Sequence, residues 1–263
     1  MGFASKIRGF LIDLDGTVVE ANKLIPGVPE ALAWLREQGL PYRFVTNTTS
    51  KPRDVIIDKL RQVGLTVAPE ELFTAPIVGR DYLRSNGLTR CYPVIKSSLE
   101  VDLEGVDLVA ESPQAVLVGD IGDELTYEKL NRAFRFLLDG AAFIALAQNR
   151  YFRGEDGLCL DVGSIVAALE YASQRRSILV GKPAAEFFAT AGKSLGLPVD
   201  SIAVIGDDLE SDALGGKSAG GFGLLVRTGK FRQDQLDQAP AQPDAVLNSL
   251  AALPDWMAGE GQG

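Results

Sequence analysis

The sequence predicts an α/β fold: a parallel sheet core with helices on both faces, interrupted by a smaller inserted α/β cap domain. Three observations predict it. Apolar runs of strand length alternate with amphipathic helices along most of the chain. The runs end in polar residues, which a parallel sheet gathers along one edge. The gap between two of those ends is also far longer than a single crossover needs.

In order, "IRGFLID" reads as a buried strand. "VPEALAWLREQGL" places Val28, Ala31, Leu32 and Leu35 on one helical face, with Gly39 at its end. "PYRFVTN" is a second strand, and "KPRDVIIDKLRQVG" a second helix closed by Gly64. "SILVGKP" and "SIAVIGDD" are two further strands, each followed by a helix. Between them, "PAAEFFATAGKSLG" carries Phe187, Phe188, Ala191 and Leu195 on one face, with Pro183 in the first turn. Four strand ends thus carry Asp13 and Asp15, Thr46 and Asn47, Lys182, and Asp207.

From Asp15 to Thr46 the chain advances 31 residues, but from Asn47 to Lys182 it advances 135. The surplus has its own alternation: "CYPVI", "AVLVG", the helix "YEKLNRAFRFLLDG", "AFIALA" and the helix "SIVAALEYA". The expected division is a core of residues 1–79 and 178–263 with a cap of residues 80–177 inserted over the strand ends. Phe134, Phe136 and Leu137 read as helix core, and the tail "AGEGQG" as frayed.

The chain has 263 residues with a net charge of -9. An acidic surface argues against nucleic acid as a partner, and no stretch approaches the roughly 20 apolar residues of a membrane span. Cys91 and Cys159 stand in no paired motif, and the N-terminal apolar run is too short for a signal peptide. A reducing, cytoplasmic setting is expected. The histidine count is zero, so imidazole general bases and His-ligated zinc are excluded. Metal chemistry here must run on oxygen ligands, which points to Mg2+.

"FLIDLDGT" ends a buried strand with two acids one residue apart. Like charges about 4 Å apart repel by roughly 4 kcal/mol at an effective dielectric of about 20. Either one acid holds a proton or a cation holds both ionised. "GGKSAGGFG" has a Lys and a Ser among glycines but not the P-loop spacing, and reads as structural.

With "DLDGT", "VTNTT", "VGKP" and "GDDLESD" in this order, the chain resembles the haloacid dehalogenase-like phosphatase superfamily, and its insertion resembles the type 2 cap. "RFVTNTT", "LNRAFRFLLDG", "DGLCLDVG", "VGKPAAEFF" and "VRTGKFR" resemble the branch that contains phospholysine phosphohistidine inorganic pyrophosphate phosphatase. The resemblance implies a Rossmann-like core and an enzyme that hydrolyses small phosphorylated metabolites with Mg2+. It implies Asp13 as the nucleophile forming an aspartyl-phosphate and Asp15 as the acid and base for the leaving oxygen and the water. Asp13, Asp207 and the backbone carbonyl of Asp15 would hold the metal. Asp212 would orient a metal-bound water or Lys182, and Asp208 is left unassigned. Thr46, Asn47 and Lys182 would bind phosphate.

Substrate choice is expected in the cap, where "AQNRYFRGEDG" reads as a polar loop offering Asn149, Arg150 and Tyr151 to the leaving group. Hydrolysis of esters, hydrolysis of pyrophosphate or phosphorus–nitrogen bonds, and non-catalytic sensing of a phosphate ligand remain open alternatives. The expected partner is a small phosphorylated molecule, with no nucleic acid and no membrane; a homodimer is left open.

Overall fold

The structure is a computed structural model that describes residues 3–154 and 157–260. The chain forms two compact units: Met1–Thr46, Asp54–Phe73 and Lys182–Gly263 in the first, Asn47–Arg53 and Thr74–Gly181 in the second.

The first unit is built on a six-stranded sheet in the order Ala245–Leu247, Phe222–Val226, Ile202–Gly206, Gly9–Asp13, Tyr42–Thr46, Leu72–Thr74. Gly9–Asp13 lies centrally and pairs in parallel with Ile202–Gly206 on one side and Tyr42–Thr46 on the other. Both central strands are buried along their whole length, as a sheet covered on both faces requires. Alternate residues point to opposite faces. Phe10, Ile12, Phe44, Ala203, Ile205 and Leu224 pack with the expected helices, Val28–Glu37 and Arg53–Gln62, through Leu32, Leu35, Ile57 and Leu60. On the other face Leu225 packs with Leu209, Ala213 and Leu236. Helix Ala185–Lys193 buries Phe187, Phe188 and Ala191 as expected.

The second unit has its own five-stranded parallel sheet, in the order Ile178–Leu179, Ala142–Ala145, Ala115–Val118, Arg90–Val94, Asp107–Leu108. Tyr92, Val94, Val116, Val118 and Phe143 face helices Tyr127–Leu138 and Val162–Ser173. Leu137 is buried and Phe134 and Phe136 pack partly buried against the same cluster. Cys91, Ala115, Leu117 and Ile144 face Ala75 and Leu83 of helix Ala75–Ser85. That packing places the whole of this helix in the second unit, whose longer segment is Thr74–Gly181.

Some expectations are corrected. Ile178–Leu179, the strand of "SILVGKP", pairs with Ile144 and Ala145 of the second unit's sheet and is no strand of the core. A two-residue strand carries too little pattern to reveal its partner. Pro183 follows a cis peptide bond after Lys182 and precedes the helix, whose N-cap is Ala184. Leu195 lies beyond that helix. The polar loop expected at "AQNRYFRGEDG" contains the strand Tyr151–Gly154, paired antiparallel with Gly157–Leu160; Glu155 and Asp156 lie outside the described residues. Of the tail, Ala258–Glu260 belong to helix Leu253–Glu260, and residues 261–263 lie outside the described residues.

Candidate active site

Asp13 is the last residue of the central strand, level with Val45 one residue before Thr46. Ile12 is level with Ile205, so Asp207 emerges from the same edge two residues on. Three strand ends therefore deliver Asp13, Thr46 and Asp207 to one place, and all three are buried. Lys182 arrives differently, from the loop that leads into helix Ala185–Lys193.

Asp212 reaches this edge through a tight local device. Asp208 caps the segment Leu209–Leu214, its Oδ1 accepting from the N–H groups of Glu210 and Ser211 at 3.1 and 3.0 Å. The N–H of Ala213 reaches back to the carbonyl of Asp208 at 3.4 Å, a wide i to i+5 turn. This turn brings Asp212 back toward Asp207, and its Oδ2 accepts from the N–H of Asp208 at 3.3 Å.

Lys182 Nζ donates to Asp13 Oδ1 at 2.5 Å and to Asp212 Oδ1 at 2.6 Å. The side chains of Lys182, Asp13 and Asp212 are 3%, 8% and 1% exposed, so the triad is effectively dry. Carboxylate oxygens of Asp13, Asp207 and Asp212 lie within 4.8 Å of one another.

Burial sets the protonation of this group. It pushes Asp13 well above the usual carboxylate range; Lys182 opposes the shift, while Asp212 and Asp207 add to it. Asp212 is raised for the same first reason, against the pull of Lys182. Burial lifts Asp207 to about 6 although the N–H of Lys230 holds it down. Lys182 is held above the ordinary lysine value because Asp13 and Asp212 outweigh its own desolvation. Ionised, these three acids and one ammonium carry two more negative charges than positive. A divalent cation cancels that excess, and a set of carboxylate oxygens without nitrogen or sulfur suits Mg2+. Among the described residues, Asp13, Asp207 and Asp212 could each offer it a carboxylate oxygen, although both oxygens of Asp212 already accept hydrogen bonds.

A further loop, Thr228–Gly229–Lys230, was not legible from residue type and spacing. Thr228 Oγ1 donates to the carbonyl of Gly16 at 2.5 Å, and the N–H of Lys230 donates to Asp207 Oδ2 at 2.6 Å. Gly16 (φ 86°) and Gly229 (φ 58°) both adopt left-handed backbone, and a Cβ on either would collide with Asp207 Oδ2. Two glycines thus close over one carboxylate. The signal was the string "VRTGKFR" just after the apolar run "FGLLV", which is the strand neighbouring Ile202–Gly206.

Asp15 is exposed and forms a bridge with Val19 in the turn after the strand. Asn47 is half-buried and begins the second unit. Asn149, Arg150 and Tyr151 also belong to the second unit and are exposed. Their backbone is fastened: the carbonyl of Asn149 accepts from the N–H of Gly163 at 2.9 Å, and that of Arg150 from Ser164 Oγ at 2.9 Å.

Comparison with known proteins agrees with this geometry. The model of the haloacid dehalogenase-like hydrolases matches residues 10–109, and a related hydrolase model matches residues 179–253. The chain is 35% identical over 257 residues to human haloacid dehalogenase-like hydrolase domain-containing protein 2, covering 98% of each chain. It is 34% identical over 259 residues to the phospholysine phosphohistidine inorganic pyrophosphate phosphatase of Danio rerio, covering 96% of this chain and 95% of the other. Among solved structures, the 4-nitrophenylphosphatase of Thermotoga maritima superposes with a TM-score of 0.89 at 30% identity, covering 97% of this chain and 99% of the other. The family is one of enzymes, so the sensor alternative raised by the sequence has no support. Buried acids on parallel strand ends, a lysine between them and full-length similarity lead to one conclusion: the chain belongs to the haloacid dehalogenase-like phosphatases.

Proposed function

We propose that this protein is a magnesium-dependent phosphatase that hydrolyses small phosphorylated metabolites through an aspartyl-phosphate on Asp13. The observation that carries the reading is the dry ion cluster in which Lys182 bridges Asp13 and Asp212 beside Asp207. Asp13 supplies a carboxylate oxygen that attacks phosphorus as the bond to the leaving oxygen breaks. Asp15 gives its proton to that leaving oxygen, then takes one from the water that attacks the acyl phosphate and restores Asp13. Lys182 holds Asp13 in place and offers a fixed positive charge to the phosphoryl oxygens, beside Thr46 and Asn47. When bound, Mg2+ supplies the positive charge that keeps the buried acids ionised and lowers the repulsion met by an incoming phosphate. Asp212 positions Lys182, and Asn149, Arg150 and Tyr151 contact the leaving group.

The second reading, hydrolysis of pyrophosphate or phosphorus–nitrogen bonds, is favoured by the 34% identity to the Danio rerio phosphatase whose name carries those substrates. The partner is a small phosphorylated molecule, not nucleic acid or membrane; a cytoplasmic setting fits the unpaired Cys91 and Cys159. No helix among the described residues is long and apolar enough to cross a membrane.

The test is phosphate release from phosphate esters, pyrophosphate and imidodiphosphate, with Mg2+ and with EDTA, for the wild type and Asp13→Asn. Metal-dependent release confined to the wild type supports the reading. Sustained release by a folded Asp13→Asn protein, checked for deamidation back to Asp, removes the nucleophile assignment.

A further inference from the structure

We propose that Lys230 is a specificity residue that reads a second negative charge on the substrate, favouring phosphate compounds whose leaving group is itself an anion, inorganic pyrophosphate being the simplest. This rests on the phosphatase reading above and names the substrate class of the same site.

The loop that carries Lys230 is fastened to the reacting groups at two points. Thr228 ties it to the carbonyl of Gly16, directly after the two motif acids, and the Lys230 N–H holds Asp207. The Cα of Lys230 therefore stands at the rim of the acidic cluster, while its side chain is 68% exposed. Its Nζ lies 3.8 Å from Asp208 Oδ2, while the other oxygen of Asp208 is committed to the N–H groups of Glu210 and Ser211. An exposed ion pair of this kind is weak, so the ammonium can turn to another anion at small cost. The ammonium thus lies beside Asp208 at the edge of the cluster, on the same residue whose N–H holds Asp207.

The two lysines divide the work. Lys182 is dry and committed to Asp13 and Asp212, where it can serve only the transferred phosphoryl group. With a divalent cation in place the inner charges cancel, so nothing among them favours a substrate that brings further negative charge. Lys230 is the exposed lysine that the fold anchors beside them. Its long stem and compact charge suit an anion of variable position.

The experiment compares pyrophosphate with p-nitrophenyl phosphate at fixed free Mg2+, in the wild type, Lys230→Met and Lys230→Arg. Methionine keeps the apolar stem and the backbone N–H that binds Asp207. The expected result is that Lys230→Met lowers kcat/KM for pyrophosphate about tenfold more than for p-nitrophenyl phosphate, mainly through KM, and that Lys230→Arg recovers most of the difference. Where pyrophosphate is not turned over, its inhibition constant against p-nitrophenyl phosphate is read instead, and a rise about tenfold larger than that for inorganic phosphate is expected. Equal losses for both probes, or no loss for either, would overturn the proposal and leave Lys230 a loop anchor. Absence of phosphate release from every probe by the wild type would sink the phosphatase reading itself, a distinct outcome.

Discussion

Lys182 Nζ sits 2.5 Å from Asp13 Oδ1 and 2.6 Å from Asp212 Oδ1, with all three side chains nearly excluded from solvent. One ammonium therefore holds two buried carboxylates that would otherwise repel each other.

Removing that ammonium strands both acids. Lys182→Met should cut turnover by at least about a hundredfold, in line with the loss of one well-placed charge in a dry site. It should also cost roughly 3–5 kcal/mol of stability in the metal-free protein, the usual penalty for breaking a buried pair. Denaturant unfolding in EDTA and in Mg2+ checks this, because Mg2+ should restore part of the loss. A variant as stable as the wild type in EDTA would show that Lys182 does not balance the acids.

Gly16→Ala and Gly229→Ala should each impair the enzyme without unfolding it. The added Cβ falls on Asp207 Oδ2 in both cases, and the left-handed backbone adds about 1–2 kcal/mol of strain. The expected signature is weaker Mg2+ activation, seen as a higher half-saturating Mg2+ concentration. Normal Mg2+ titration in both variants would mean that Asp207 does not hold the metal.

The stabilisation by Mg2+ should depend on pH in a defined direction. The folded pKa of Asp207, raised to about 6 by burial, lies above its unfolded value. In the metal-free protein this carboxylate therefore costs stability as pH rises from the unfolded pKa to about 6, and the cost persists above it. Asp13 and Asp212 are shifted in the same direction. Metal must displace the protons at low pH but not at high pH, so the Tm increase on adding Mg2+ should be larger at pH 8 than at pH 5. Calorimetry in two buffers of different ionisation enthalpy should show proton release below about pH 6, the Asp207 value. A Tm increase that is flat with pH would refute metal binding by these acids.

Exchanging residues 149–152 should reorder the preferred substrates while leaving the requirement for Asp13 intact. The backbone here is fixed to Gly163 and Ser164, so side chains can be changed with little effect on the fold. An unchanged order across a broad substrate panel would discard this segment as the selector.

Much of this protein is legible in the chain itself. Buried strands announce themselves by unbroken apolar runs, and helices by periodic ones, because each must hide one surface from water. Asp13, Asp207 and Thr46 were placed together because parallel strands end on one edge. Other features were decided only by tertiary structure. Ile178–Leu179 joined the second unit's sheet because pairing of so short a strand depends on neighbours distant in sequence. Lys182 meets Asp13 across 169 positions from a loop rather than a core strand end, a contact set by chain closure and charge. The hold of Lys230 and the two glycines on Asp207 involves backbone groups, which every residue carries alike, so side-chain chemistry read along the sequence could not reveal it.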